Sequence, residues 1–226
     1  MDWDDEARRK ASAVREGFRV SEGLRTYSGL KGDERVARRR IALMDATLEL
    51  LGGQPPQSVT VRGVCGAASL NPRYFYESFE SVEALVSATY DRVIEEISRD
   101  ALAAFATGDD GGAKVRAAVT AIVSIIDSDR RKGRLLFSPM LTSPVLAEKR
   151  RDSTAVFAAM TLDTTSAALH TAPGPRAIGA AQFQVGGLGR LLAAWLDDEV
   201  PLGRDEVVDL SVSLMISLAP AVTRRV

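Results

Sequence analysis

The sequence contains very few of the side chains that form disulfides and metal sites. Its 226 residues include one cysteine, Cys65, and one histidine, His170. A single cysteine excludes an internal disulfide and a zinc finger, and we interpret Cys65 as a small core residue. His170 has no acidic or thiol residue at ligand spacing, so a structural or surface position is its simplest interpretation. We therefore expect neither a metal nor another cofactor.

Long apolar segments are also absent. No uncharged apolar run approaches the roughly 18 residues that span a bilayer, which argues against a membrane partner. The N-terminal stretch MDWDDEARRK is charged rather than apolar and does not have the pattern of a secretory signal.

Common catalytic motifs are missing as well. No glycine-rich phosphate loop follows a strand pattern, and neither G-x-S-x-G nor H-E-x-x-H occurs. We therefore do not expect an enzyme. An all-α enzyme that assembles carboxylates from distant helices is the remote alternative.

Charge is balanced over the whole chain but not along it. Lysine and arginine total 29 and aspartate and glutamate 30, which gives a net charge of −1. Residues 35–79 carry six arginines against three acidic residues, a net of +3. Residues 80–226 carry 16 basic and 19 acidic residues, a net of −3. The split indicates two parts with different roles.

The most informative stretch is residues 59–85, which has the pattern of two short helices joined by a tight turn. Thr60 is a residue type that caps helix N-termini, and small and apolar residues follow it at helical spacing. Asn71 precedes Pro72, and proline is tolerated at the first position of a helix because its missing N–H has no partner there. The spacing predicts a helix, a turn over residues 68–70 and a second helix that begins at Pro72.

The second helix has two unequal faces. Phe75 and Phe79 lie four residues apart, and we expect them to anchor the helix to its neighbour. Arg73 and Glu77 lie on roughly the opposite face, with Tyr74 and Tyr76 on its flanks. An exposed face of this composition suits a helix in the major groove of DNA, but any small helical hairpin with a polar surface has the same pattern.

A longer pattern continues without a gap over about residues 38–90. Its small, apolar and aromatic positions include Thr60-Val61-Arg62, Val64, Ala67-Ala68, Leu70, Asn71, Phe75-Tyr76, Phe79, Ser81, Glu83 and Leu85. This pattern resembles the DNA-binding domain of the TetR family of transcriptional regulators. Three positions depart from the family pattern: Ser69 replaces the usual turn glycine, Gly63 an acidic residue and Val82 a lysine.

The resemblance implies a cytoplasmic bacterial regulator whose partner is double-stranded operator DNA. The residues expected to contact DNA are Thr60, Arg62, Asn71, Pro72, Arg73, Tyr74 and Tyr76. We expect Arg73 and Tyr74 to contact bases, and Thr60, Arg62, Asn71 and Tyr76 mainly to hold phosphates. Arg38, Arg39 and Arg40 lie near the start of the preceding helix, where phosphate contact and a solvated charged face explain them equally well.

The rest of the chain reads as helices separated by breakers, without strand-like alternation. Upstream of the hairpin, Ile41, Met44, Leu48 and Leu51 predict a helix over about 33–51 with an apolar stripe. Downstream, caps and apolar spacing predict helices over about 81–105, 115–126, 144–170, 176–198 and 206–218. Leu85, Val93, Ile97 and Leu102 are the expected apolar positions of the first of these. Residues 108–112 form the clearest linker.

We predict an all-α fold of about nine helices with three segments. Residues 1–33 form an N-terminal extension that is partly disordered, residues 34–80 a helix-turn-helix DNA-binding head, and residues 81–226 a larger ligand-binding and dimerisation domain. The resemblance implies that the helix over 81–105 ties the head to the larger domain. We expect this helix alone to leave the head.

The last two long helices are the expected dimer interface, because in TetR-like proteins they form a four-helix bundle with a second subunit. Several glycines lie inside the helix over 176–198, and close approach of another helix would compensate their cost. The final helix carries an apolar stripe of Val207, Leu210, Leu214 and Leu218 on one side. The candidate interface residues are Gly186, Gly187, Leu210, Leu214 and Leu218. Burial of both helices within a monomer is the competing interpretation.

A small-molecule effector of unknown identity is the remaining expected partner. Candidate residues for an apolar cavity are Phe105, Phe137, Met140, Phe157, Met160 and Phe183, although each also suits an ordinary core position. The sequence thus favours a homodimeric repressor that binds an inverted repeat and is released by an apolar or amphipathic effector. A constitutive DNA-binding protein or an activator without an effector is the alternative.

Overall fold

The computed structural model describes residues 30–169 and 174–218. Within these ranges the chain forms nine α-helices and no strand, which confirms the predicted fold class. The helices are α1 (Leu30–Gly52), α2 (Val61–Ala67), α3 (Pro72–Ser78), α4 (Val82–Phe105), α5 (Gly111–Ser128), α6 (Arg130–Phe137), α7 (Pro144–Leu169), α8 (Pro175–Leu196) and α9 (Arg204–Ser217). No described helix combines the length and apolarity needed to cross a bilayer. His170 lies outside the described residues.

Local capping explains why several helices begin where they do. The Thr60 side chain accepts a hydrogen bond from the Gly63 N–H at 3.0 Å, and Asn71 accepts one from the Arg73 N–H at 2.9 Å. Ser81 caps α4 by accepting from the Ala84 N–H at 3.0 Å. These bonds satisfy N–H groups that have no partner within the helix. The predicted boundaries of α2, α3 and α4 are confirmed.

Two predicted boundaries need correction. Asp110 accepts a hydrogen bond from the Ala113 N–H at 2.8 Å, so α5 begins at Gly111 and the predicted linker loses its last two glycines. At the other end of the chain, α1 begins at Leu30, inside the segment predicted as an extension.

The described helices pack around two main apolar cores that share α1, and a third, minor cluster of Ala158, Leu162, Ala177 and Ala181 joins α7 to α8. The smaller core lies between α1, the hairpin and the start of α4, and consists of Leu43, Met44, Ala46, Val64, Cys65, Phe75, Phe79 and Leu85. The larger core draws on α4 to α9 and also contains Leu48 and Leu51, from the last turns of α1. Burial in the smaller core raises the pKa of the Cys65 thiol. The head and the larger domain therefore meet along one continuous helix.

The predicted apolar stripe of α1 is wrong at Ile41, whose side chain is 48% exposed. The buried side of the helix centres instead on Leu43, Thr47 and Leu51, and Ile41 lies at its edge. Thr47 is fully buried because its hydroxyl donates to the Leu43 carbonyl at 2.9 Å. A search for apolar residues passes over such a threonine.

The stripe of α4 needs a similar correction at its end. Leu85, Val93 and Ile97 are buried as predicted, but the stripe continues through Ala101, and Leu102 is exposed.

The basic segment after α5 forms the short helix α6, which packs directly against α1. Arg134 Nη1 donates to the Gly52 carbonyl at 3.0 Å, and Arg131 forms an ion pair with Glu49. Arg131 also hydrogen-bonds Asp129, which holds the pKa of that carboxyl below its usual range. The expectation that α4 alone joins the head to the larger domain is therefore wrong, because α6 provides a second connection.

Gly52 is required by the close approach of α6. A Cβ atom at this position would lie 2.6 Å from the Arg131 carbonyl oxygen, and backbone cannot yield as a flexible side chain can. We expect Gly52→Ala to lower the free energy of unfolding by about 1–3 kcal/mol, as overpacking does. Urea denaturation of both proteins measures the change.

Gly66→Ala is the matched control, because a Cβ atom there meets nothing within 4 Å. Inside α2 this alanine should leave stability unchanged or raise it by about 0.5–1 kcal/mol. Equal stability of Gly52→Ala and the wild-type protein would show that α6 moves away from α1 without cost.

Candidate nucleic-acid interface

The hairpin helix α3 is anchored by two phenylalanines, as the sequence predicts. Phe75 is completely buried and Phe79 nearly so, with their ring centroids 6.3 Å apart. Phe75 also meets the Tyr76 ring edge-to-face at 5.3 Å. These contacts hold α3 in place with its polar face toward solvent.

The predicted DNA-contacting residues are brought together on the small unit of α2, the turn and α3. All of them are exposed except Tyr74, which is half-buried. The Arg73 side chain is 82% exposed and Tyr76 is 67% exposed. Thr60 and Asn71 also cap their helices. A surface with an arginine, a tyrosine and two helix N-termini can accept phosphates and reach base edges.

Two arginines of α1 support α3 from behind. The Arg39 guanidinium lies 4.2 Å from the centre of the Tyr74 ring, and Arg40 lies 4.0 Å from the centre of the Phe79 ring. Arg40 Nη1 also donates to the Ser78 carbonyl at the end of α3, at 2.6 Å. Arg39 and Arg40 therefore pack against α3, whereas the sequence analysis considered only phosphate contact or a solvated charged face for them.

Glu77 lies on the exposed face of α3, as the sequence predicts, but the sequence analysis assigned it no contacts. Its Oε1 accepts a hydrogen bond from Arg73 Nε at 3.0 Å, and its Oε2 lies 3.4 Å from Arg39 Nη2. The spacing of Arg73 and Glu77 along a helix is a visible signal for the first contact. No local signal exists for the second, since Arg39 lies on another helix.

The outer faces of α8 and α9 carry apolar side chains in the monomer. Phe183 is 68% exposed, and Leu210, Leu214, Ile178 and Ile216 are exposed as well. A Cβ atom at Gly186 or Gly187 would meet nothing within 4 Å, so both glycines face open space. The predicted interface residues on these helices are thus accessible, with Leu218 half-buried at the end of α9.

Only part of the predicted stripe of α9 is exposed. Val207 is completely buried in the larger core together with Val208 and Val212, whereas Leu210 and Leu214 point outward. The sequence pattern merged two apolar faces of one helix into a single stripe.

The six candidate cavity residues differ in exposure. Met140 is 73% exposed in the loop after α6, and Phe183 lies on the outer face of α8, so both are wrong as lining of an enclosed cavity. Phe105, Phe137, Phe157 and Met160 are half-buried. The half-buried Arg150 guanidinium donates to three backbone carbonyls of the segment that follows α5, and burial lowers the pKa of Arg150.

A cleft of about 470 Å³ lies at the junction of α1, α4 and α6. Its walls carry charged residues of both signs, and several of them are paired across the junction. Arg92 contacts Asp45 at 2.7 Å, and Lys132 contacts Glu96 at 2.7 Å. Among the described residues, no group of histidine, cysteine, aspartate and glutamate side chains is arranged to hold a metal ion.

Comparison with solved structures identifies the fold. A TetR family transcription regulator from Marinobacter aquaeolei VT8 aligns over 85% of this chain and 100% of its own, with 20% identity and a TM-score of 0.61. A TetR-family transcriptional regulator from Streptomyces coelicolor aligns over 82% of this chain and 83% of its own, with 18% identity and a TM-score of 0.61. The chain has the TetR-family fold.

The regulator FadR from Bacillus subtilis, solved in complex with stearoyl-CoA, shares this TetR-family fold. It aligns over 78% of this chain and 97% of its own, with 13% identity and a TM-score of 0.62. No family model and no curated protein matches the sequence. The structural comparison therefore confirms the fold that the sequence resemblance implies.

The turn of the TetR-like hairpin retains the backbone conformation that favours glycine. Ser69 has a φ of 54°, in the left-handed region. Its N–H bonds the Gly66 carbonyl at 3.2 Å, and the next N–H, of Leu70, bonds the Cys65 carbonyl at 2.9 Å. These two bonds close α2 and hold Ser69 in that conformation, so the serine accepts the strain.

We expect Ser69→Gly to raise the free energy of unfolding by about 1 kcal/mol, because glycine adopts a positive φ without the steric cost of a side chain. Thermal unfolding monitored by circular dichroism measures the change. Ser69→Ala retains a Cβ atom and should bring no such gain. A melting temperature for Ser69→Gly below that of the wild-type protein would contradict the left-handed turn.

Proposed function

We propose that this protein is a DNA-binding transcriptional regulator that acts as a homodimer. The observation that carries the proposal is the exposed face of α3, where Arg73 and Tyr76 project from a helix anchored by two buried phenylalanines. Helix-turn-helix proteins place such a helix in the major groove. Thr60, Arg62, Asn71 and Tyr76 then hold phosphates while Arg73 and Tyr74 contact bases.

The charge distribution supports DNA as the partner. The net charge of +3 over residues 35–79 lies on the segment that contains the hairpin, and the rest of the chain from residue 80 onward has a net charge of −3. Positive charge concentrated on one end of a molecule attracts a polyanion and orients it.

The exposed face of α8 and α9 supports association with a second copy of the chain. Large apolar side chains on a surface mark interaction sites, and Gly186 and Gly187 let another helix approach closely. A dimer with two-fold symmetry carries two copies of α3, so its DNA target is an inverted repeat.

A small apolar or amphipathic molecule is the proposed effector, and repression relieved by it is the proposed mode of action. The half-buried Phe137, Phe157 and Met160 supply apolar contact in the larger domain. The presence of stearoyl-CoA in a protein of the same fold makes long-chain acyl compounds the first class to test. A constitutive DNA-binding protein or an activator is the second candidate.

The enzyme alternative is judged at the cleft between α1, α4 and α6, whose walls carry carboxylates from different helices. There Asp45, Glu96 and Asp129 each lie in an ion pair with a basic residue. Carboxylates neutralised in this way form connections between helices rather than an acid–base pair, which favours the regulator.

Selection of binding sequences from a random duplex library tests DNA binding and dimer formation together. We expect the full-length protein to select an inverted repeat. Gly187→Glu places a charge on the proposed dimer face, so this variant should sediment as a monomer and lose specific binding while keeping its helical content. Gly66→Glu, in the hairpin, is the control for sedimentation alone, because it makes the same charge change away from α8 and α9. It should sediment as a dimer, and an intact Gly187→Glu dimer would contradict the interface.

The regulatory proposal requires reciprocal coupling between effector and DNA. Compounds that raise the melting temperature, beginning with stearoyl-CoA, are titrated with and without the selected duplex. A coupling free energy of about 1–3 kcal/mol weakens DNA binding by roughly 5–150-fold, and DNA must weaken effector binding by the same factor. Equal effector affinities in the two titrations would leave a DNA-binding protein whose bound compound is not its signal.

A further inference from the structure

A carboxylate on the exposed side of α3 joins two arginines of different helices. Glu77 Oε1 accepts from Arg73 Nε at 3.0 Å, and Glu77 Oε2 lies 3.4 Å from Arg39 Nη2. Each carboxylate oxygen thus contacts one arginine. Arg39 belongs to α1, whereas Arg73 lies in the first turn of α3.

The Arg73–Glu77 contact adds little to the stability of α3. The Arg73 side chain is 82% exposed, and exposed ion pairs contribute little because water and salt screen them. Arginine four residues before glutamate is also the weaker order of such a pair, because it opposes the helix dipole. Helix stability therefore does not account for this arrangement.

Arg39, by contrast, is held firmly in place. Its side chain is only 23% exposed, and its guanidinium lies against the Tyr74 ring at 4.2 Å. Its Nε is buried and has no hydrogen-bond partner among the described residues. The contacts that orient the guanidinium are therefore those to the Tyr74 ring and the Glu77 carboxylate. Arg39 is a fixed support for the Glu77 carboxylate.

The orientation of Arg73 matters for reading bases. Its contact to Glu77 uses Nε, which leaves the terminal nitrogens Nη1 and Nη2 of this exposed side chain available for a second contact. Two N–H donors in a planar fork match the O6 and N7 acceptors of guanine in the major groove. The value of such a contact depends on how well the fork is oriented before binding.

We propose that Glu77, supported by Arg39, positions Arg73 to contact one guanine in each half of the DNA target. The proposal rests on the DNA-binding function proposed above and makes Glu77 and Arg39 positioning residues for specificity. It also has a consequence for affinity. Glu77 places a negative charge on the surface that faces phosphates, so it disfavours binding to DNA of any sequence.

The test uses the full-length protein and the duplex selected from the random library. Arg73→Ala identifies the base pair that Arg73 contacts, as the position where the preference for guanine is lost. In the wild-type protein we expect that preference to be roughly 5–150-fold over the other bases. Glu77→Ala should lower the preference at the same position and leave the other positions unchanged. It should bind an unrelated duplex at least as tightly as the wild-type protein does.

Two further comparisons separate positioning from general damage. Glu77→Gln keeps an acceptor for Arg73 Nε and should retain more of the guanine preference than Glu77→Ala. Arg39→Ala should reduce the preference at the same base pair. Arg38→Ala removes an equal charge from an exposed arginine that pairs with Glu34, so it should weaken binding to all sequences alike. Circular dichroism checks the helical content of each variant.

The results distinguish this proposal from the function on which it rests. If the wild-type protein selects no sequence, the DNA-binding function is wrong and the positioning role with it. If the wild-type protein selects a repeat and Glu77→Ala keeps the full guanine preference, only the positioning role is overturned. A preference unaffected by Arg73→Ala overturns it equally, because Arg73 then contacts no base.

Discussion

The packing of α1 into two cores is the constraint on which the rest of the structure depends. Leu43 and Met44 lie in the core beneath the hairpin, and Leu48 and Leu51, one to two turns later, lie in the core of the larger domain. A helix is stiff over such a distance, so its two ends cannot reorient independently. Helix α1 therefore couples the position of the hairpin to the larger domain, together with α4, whose Leu85 and Val86 lie in the two cores.

The same helix also determines how α3 is presented. Arg39 and Arg40 reach from α1 to the Tyr74 ring, the Phe79 ring and the last carbonyl of α3. At its other end, α1 receives the Arg134 side chain of α6 on its final carbonyl. A shift of α6 in the larger domain would thus act on the helix that supports α3, without passing through the length of α4. This gives the proposed effector a short physical route to the DNA-binding surface.

The features that the sequence predicted correctly depend on contacts between residues close together in the chain. The features that it missed depend on contacts between residues far apart in the chain. The caps at Thr60, Asn71 and Ser81 depend on neighbours two or three residues away, so residue type and spacing were sufficient. The same holds for the anchoring phenylalanines of α3. The support from Arg39 and the packing of α6 join residues far apart in sequence, where spacing carries no information. Met140 and Phe183 failed for a related reason, since apolar character alone does not distinguish a core position from an exposed one.

The burial of Leu85 has a consequence for treating the hairpin as a separable part. This leucine belongs to the first turns of α4, yet it is completely buried in the core that α1 and the hairpin share. A fragment that ended at residue 80 would lack one wall of its own interior, and it would expose Leu48 and Leu51 to water. The hairpin thus shares its interior with α4 and is not a separate folding unit. An exchange of heads between proteins of this fold would need its junction inside α4, beyond the last side chain that the smaller core uses.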